Sequence, residues 1–551
     1  MSAVSACRRA PLVNPVFAPF ADQAIHPEGL LGKMINQVLE YVDVSRMSSL
    51  DSVLATRLGG YAELPPMPDL DAAASLLPDA PGRYLGVVES ATLLSIFTRD
   101  KEGMLRALDA MRLFMDTLPQ LAEDDLFWCG ATALRLCIRL YQRTGQRFLL
   151  SLMESLRSRL PDVSGLMHTF PFQRDYRREA EGSTPDEIKY YDRMERFATG
   201  RGTADALAMA ALLGQFSGSG RDAAAPEAGL NAIYRFHGMP CGAFSADPFL
   251  AGKDPARAVE LEAVCAQIEA CCDALAISGK AVFADKVERL MLNALPDMLS
   301  AAGIRTLQPT NRLGSDESCI YHKPEPQEVS GLLRALYALR RSVWMAREED
   351  VISYLLPVDC GCLTRMNGVP VRLMANVQGA SRREVRIRVE TKEPVPFKLQ
   401  LLVPAWADGA AVSVNGAKSM AVAQGEYHVI NRVFQTGDEI VLTMTAAPRL
   451  ETGFRGSVSV SIANRLMALS LPENDMAWRY AINPSVPMTA AEENGDVCVL
   501  VAACEAEQWK EKDGFILPPP QNVPAGPAYQ LTLLPYDDCD GRIAAFPCVR
   551  E

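Results

Sequence analysis

The stretch "EVSGLLRALYALRRSVWMA" (328–346) is the last place where the chain reads as a helix. Leu332, Leu333, Leu336, Leu339 and Val343 recur at three- and four-residue spacing, the period of one buried helical face. Past Ala346 the period changes to two. In "REVRIRVE" (383–390), Val385, Ile387 and Val389 fall on one face and Arg386 and Arg388 on the other, as in a half-buried strand.

Working back from 328, the helical period recurs in "GLLGKMINQVLEYV" (29–42), "YLGVVESATLLSIF" (84–97) and "KEGMLRALDAMRLFMDTL" (101–118). It recurs again in "GATALRLCIRLYQRTG" (130–145), "TADALAMAALLGQF" (203–216) and "VFADKVERLMLNALPDML" (282–299). With shorter segments this makes about a dozen helices and no fixed-length repeat, which favours a closed helical barrel over a solenoid. Working forward, "FKLQLLVPAW", "AAVSVNGAKSM" and "DEIVLTMTAAP" continue the strand period, with a hairpin turn at Asn415-Gly416. This predicts an antiparallel β-sandwich over 347–454. A β-rich segment, 455–551, follows. It holds a stiff proline-rich connector, "LPPPQNVPAGP" (517–527), and a final strand pair, "YQLTLLPYD" and "GRIAAFPCV". Residues 1–346 form the helical domain.

A chain of 551 residues exceeds one compact core, and 48% hydrophobic with 22% charged residues is ordinary for a folded protein. The net charge of −12, with no basic cluster, disfavours nucleic acid as a partner. No segment approaches the length needed to span a bilayer, and prolines break up the N-terminus as a signal peptide. The 14 cysteines include no CxxC pair and read as small buried hydrophobes in a reducing compartment. These features point to the cytoplasm and no membrane, and leave an oligomer open.

Chemistry concentrates around "DPARAVELEAVC" (254–265). Asp254 and Pro255 predict a helix start, and Leu261, Val264, Cys265, Ile268, Cys272 and Leu275 an apolar stripe. Glu260 and Glu262 flank Leu261. On a regular helix they diverge by ~200°, and Glu262 aligns with Glu269 and Asp273 as a solvated polar stripe. They share a face only if the chain is extended or irregular at 260–262.

The block 236–296, with "GAFSADPFLAG", "DPARAVEL" and "FADKVERLMLNALP", resembles glycoside hydrolase family 127, the β-L-arabinofuranosidase type. "LLVPAWADGAAVSVNG" (401–416) and "LTLLPYDDCDGRIAAFP" (531–547) extend the resemblance along the chain. It implies an (α/α)6 barrel followed by β-sandwich domains. It also implies a zinc ion held by one glutamate and three cysteines, one cysteine being the nucleophile of a retaining hydrolysis. Carried over residue by residue, Glu260 matches the glutamate ligand, but Glu262 stands where a cysteine is expected. The cysteine pair falls at Gln327 and Glu328, the nearest thiol being Cys319. Arg201 in "TGRGTAD" replaces a sugar-contacting histidine. The acid/base glutamate falls near Gly242, where Asp247 is the nearest acid.

The resemblance therefore implies an altered site without the zinc thiolate. Candidate catalytic residues are Glu260, Glu328 and Asp247; candidate carbohydrate-binding residues are Arg201, Trp128 and Gln327. Glu260, Glu262 and Glu328 could instead hold a hard divalent cation, or none. Without a cation, such carboxylates must be protonated or paired, for instance with Arg201. Glu328 also suits a first-turn helix position, and Glu89, which interrupts an apolar helix, is a pocket acid or a boundary residue, with the boundary favoured. Two functions fit: a hydrolase using a carboxylate pair, or a non-catalytic protein that binds a carbohydrate or another protein.

Overall fold

The computed structural model divides the stretch 328–346. The helix runs Pro326–Val343, and Trp344–Glu348 is already a strand with no loop between them. Trp344 is fully buried, its ring packs on Tyr354, and its indole N–H donates to the Cys360 carbonyl at 3.2 Å. This burial ends a helix that the apolar period alone would carry to Ala346. The structure describes residues 7–43, 45–59, 63–173, 194–247, 249–312, 320–471, 480–493, 496–505, 510–512, 515–517 and 528–549. Cys319 and most of the proline-rich connector, 518–527, lie outside these.

Six helices close a ring: α1 (Ser49–Leu58), α2 (Pro81–Thr98), α3 (Glu123–Thr144), α4 (Gly200–Ser217), α5 (Leu261–Ser278) and α6 (Pro326–Val343). Each packs on the next, and α6 returns to α1. Helices Gly29–Glu40, Lys101–Thr117, Phe148–Arg159, Gly220–His237 and Ala281–Arg289 lie outside, against α6, α2, α3, α4 and α5 in turn. Sequence explains the two layers. α4 is alanine- and leucine-rich on nearly every side and is buried along most of its length, whereas Lys101–Thr117 keeps one charged face for water.

Beyond the ring, a five-stranded sheet includes Trp344–Glu348, Val351–Tyr354, Val395–Leu402 and Tyr427–Phe434. A seven-stranded sheet includes Cys360–Met366, Val369–Gln378, Arg382–Thr391, Gly409–Val414 and Glu439–Thr445. Val385, Ile387 and Val389 are buried, as the alternation predicts, and Asn415 and Gly416 turn the chain with φ of 53° and 69°. One pairing departs from the antiparallel expectation. Val351–Tyr354 lies parallel to Val395–Leu402, because the strands between them in sequence cross into the other sheet.

The third sheet is built on Val458–Ile462, Arg465–Ser470, Asp496–Glu505 and Ala528–Pro535. The two strands expected to pair at the C-terminus do not pair with each other. Ala528–Pro535 and Arg542–Ile543 both add to Arg465–Ser470. The helix expected from Pro255 also starts later. Asp254 makes a turn, its carboxylate accepting from the Ala256 N–H at 3.0 Å, and Ala258–Glu260 pairs with Leu307–Pro309. α5 begins only at Leu261.

Candidate functional site

The N-terminal turns of α3 to α6 carry the residues that the sequence singles out, except Asp247, which lies in the segment between Gly220–His237 and Ala258–Glu260. Glu260 is the residue before α5, in extended conformation (φ −101°, ψ 137°), so it and Glu262 straddle a strand-to-helix junction rather than two positions of one helix. Gly200 and Gly202 in α4 allow the close approach that builds this corner. A Cβ at Gly200 would lie 2.5 Å from Ala263 Cβ, 2.7 Å from Ala246 Cβ and 3.4 Å from Glu260 Oε2. One at Gly202 would strike the Arg196 carbonyl.

Arg201 is the hub. Its guanidinium donates to Glu262 Oε1 and, at 3.3 Å, to Asp205 Oδ2, and it lies 6.0 Å from the ring of Trp128. Trp128 is 38% exposed, so an apolar ring face stands beside the charged pair at the open end of the barrel. Asp247 accepts from Arg257 Nη2 and, at 3.0 Å, from the Ala258 N–H. Burial, with the negative charges of Glu262 and Asp247, pushes the Glu260 carboxyl up to about 7. The structure thus brings Trp128, Arg201, Asp247, Glu260 and Glu262 to one mouth.

Glu328 has partners of its own. Its carboxylate accepts from the Glu325 N–H at 2.7 Å in a capping box and lies 3.7 Å from His322 Nε2. Gln327 is exposed on the same first turn. Among the described residues, no group of three His, Cys, Asp or Glu side chains is placed to hold a metal ion. Among the described residues, the donor set does not fit a zinc thiolate either. Cys265, the thiol on the first turns of α5, is buried and its pKa is pushed up by burial, with Glu269 and Glu262 adding to the effect. Positive charge at this corner comes instead from Arg201.

Sequence reasoning missed a column of ion pairs that continues down the barrel axis. Arg135 donates to Asp273 at 2.6 Å and lies 3.6 Å from Glu269. Glu89 sits between Arg139 at 3.0 Å and Arg334 at 3.7 Å. Burial opposes its charge, but Arg139 and Arg334 prevail and hold its pKa below the usual value. Glu89 is thus the cavity acid that the sequence left open, not the boundary residue it favoured, and Glu269 and Asp273 face the bore rather than bulk water. The available signal was the four-residue spacing of Arg135 with Arg139 and of Arg201 with Asp205, which puts charge on one face of an otherwise apolar inner helix. His237 is fully buried, accepting from the Gly252 N–H at 2.9 Å and bonded to the Phe172 carbonyl at 2.7 Å.

The arrangement of inner and outer helices followed by β-sheets is shared with solved structures, and one segment of the chain matches a family model. Residues 359–446 match the family model described as β-L-arabinofuranosidase, GH127 middle domain. Three solved structures share the fold along nearly the whole chain. One, described as a glycoside hydrolase, has a TM-score of 0.68 at 15% identity, covering 97% of this chain and 98% of its own. The GH127 β-L-arabinofuranosidase Ara127N of Geobacillus stearothermophilus T6 gives 0.55 at 16% identity, covering 95% and 98%. Another GH127 β-arabinofuranosidase gives 0.56 at 13% identity, covering 97% and 98%. No curated protein matches the chain. The resemblance to family 127 seen in the sequence is thus supported by a matched segment and by a common fold.

Proposed function

We propose that the chain is a carbohydrate-active protein of the family 127 type that takes a small sugar or oligosaccharide at the mouth formed by Trp128, Arg201, Glu260 and Glu262. The observation that carries this reading is their juxtaposition: a part-buried carboxyl, an arginine-paired carboxylate and an exposed aromatic face on three adjacent inner helices. In this reading the zinc thiolate is replaced by carboxylates. Glu260, which keeps its proton near neutral pH, donates it to the leaving sugar oxygen. Glu262, ion-paired with Arg201, acts as base or nucleophile, and Trp128 stacks on the sugar ring. Asp247 is a positioning residue, held by Arg257 and raising the Glu260 pKa. No helix among the described residues is long and apolar enough to cross a membrane, and we assign the protein to the cytoplasm on its cysteine usage.

The test is a panel of aryl pentofuranosides, pentopyranosides and hexosides, assayed with and without a strong chelator. Turnover should survive chelation and fall by about 10²–10⁴ in E260Q. Zinc bound at one equivalent, with activity lost on chelation, would overturn the carboxylate mechanism. A second reading, binding without hydrolysis, is favoured by the double engagement of Arg201 with Asp205 and Glu262, which ties down the candidate base. It is the correct reading if no glycoside is turned over while oligosaccharide binding is detectable and lost in W128A.

A further inference from the structure

The opposite end of the barrel holds a second site that the function proposed above does not use. At the C-terminal ends of the inner helices the bore widens into a cavity of about 1060 Å³, roofed by the N-terminal segment around Asp22 and by the strand Cys360–Met366. That volume is at the upper end of the range for small-molecule sites. Its wall carries eight arginines against six carboxylates, in a chain whose net charge is −12. Local excess of positive charge in an acidic protein needs a reason, since arginines gathered without anions repel one another.

Several of these arginines share one carboxylate between two. Arg57 and Arg341 share a single carboxylate, that of Asp22, at 3.5 and 3.7 Å, and Asp22 also accepts from the Tyr337 hydroxyl at 3.0 Å. Arg139 and Arg334 likewise share Glu89. The buried Nε atoms of Arg57 and Arg341 are the ones that face Asp22, too far or too oblique for a hydrogen bond, so one carboxylate leaves both guanidiniums only loosely paired. Arg143, exposed at the rim, has no ion-pair partner among the described residues, and its guanidinium feels the positive charge of Arg341 and Arg139. Arg57 stacks 3.6 Å over Phe97, which adds an apolar wall.

We propose that this cavity binds a small organic oxyanion, a sugar-sized molecule carrying a carboxylate or a phosphate. Planar guanidinium forks pair with both groups in two-pronged geometry, and the arginines left short of carboxylate oxygens here supply those forks. Phe97 and Tyr337 fit the less polar face of the same molecule.

Isothermal titration of the full chain with glucuronate, glucose 6-phosphate and glucose tests this directly. One or both anions should bind while neutral glucose gives no heat, and which anion binds distinguishes a carboxylate ligand from a phosphate ligand. R143E and R99E, both at exposed rim positions, should each weaken binding about tenfold while leaving the thermal midpoint of the free protein unchanged. The bound anion should also raise that midpoint in the parent chain. Absence of heat with both anions at millimolar concentration, equal binding of glucose, or unchanged affinity in both variants would overturn the proposal. Hydrolysis at the other mouth is measured separately, so the failure of either site is distinguishable from the failure of the other.

Discussion

Glu260 is the residue on which the candidate chemistry turns, and its protonation is also a stability term. The folded carboxyl keeps its proton up to about pH 7, against an ordinary value of 4.5. Between those values the folded state binds more protons than the unfolded one. Raising the pH through this window therefore destabilises the fold, and the loss is complete above the folded pKa. E260Q removes the titration. It should match the parent at pH 4 and exceed it at pH 8 by roughly 2 kcal/mol, less than the full shift because the side chain is part exposed. Urea midpoints at the two pH values measure this; a variant less stable than the parent at pH 8 would show that Glu260 is ionised and paired. The candidate residues were legible through resemblance, and the need for protonation or an arginine partner followed from electrostatics. Which residues look into the bore was not legible. The helical period puts Glu262, Glu269 and Asp273 on one face, but water and a wet barrel axis impose the same polarity on that face.

Elements were legible wherever one face met a core. Inner and outer helices carry the three- and four-residue period, and their centres fall where the period puts them. Their ends were harder, because ends depend on what the chain meets next. Trp344 leaves the helix for a sheet, and Ala258–Glu260 becomes a strand because Leu307–Pro309 lies beside it. The start of α4 is the sharpest case, since it rests on the lack of a Cβ at Gly200. G200A should cost about 1–3 kcal/mol by pushing α4 away from α5, with the Arg201–Glu262 pair weakened as a consequence. G86A in α2 is the control: nothing lies within 4 Å of its Cβ, so the change should be neutral or stabilising by up to about 1 kcal/mol. Thermal midpoints of the two variants give the comparison, and an equal loss in both would show that general helix perturbation, not this contact, sets the stability.

At the scale of the molecule, the order of helices and then strands was legible, while the connectivity of the third sheet was not. Ala528–Pro535 and Arg542–Ile543 read as neighbours in sequence, yet each pairs with Arg465–Ser470 far upstream, and no local pattern specifies so distant a partner. What ties that sheet to the barrel is a buried charge cluster. Asp297, 2% exposed, follows the barrel's outer helix. It accepts from Arg542 at 2.8 and 3.0 Å and lies 3.6 Å from Arg305 and 3.7 Å from Arg312. Glu288 works the same way, bonding Arg383, Trp406 and Asn464 and so joining the helix to two sheets. One hydrophobic cluster runs through all three regions, so the segments 1–346, 347–454 and 455–551 that we propose as domains should unfold together. D297A tests this coupling. It leaves Arg542 buried without its carboxylate and Arg305 and Arg312 with only the exposed Asp540, which should cost about 3–5 kcal/mol. If the segments are coupled, calorimetry of D297A shows one transition at lower temperature. If the third sheet stands alone, a second transition separates and limited proteolysis releases 455–551 while the barrel persists.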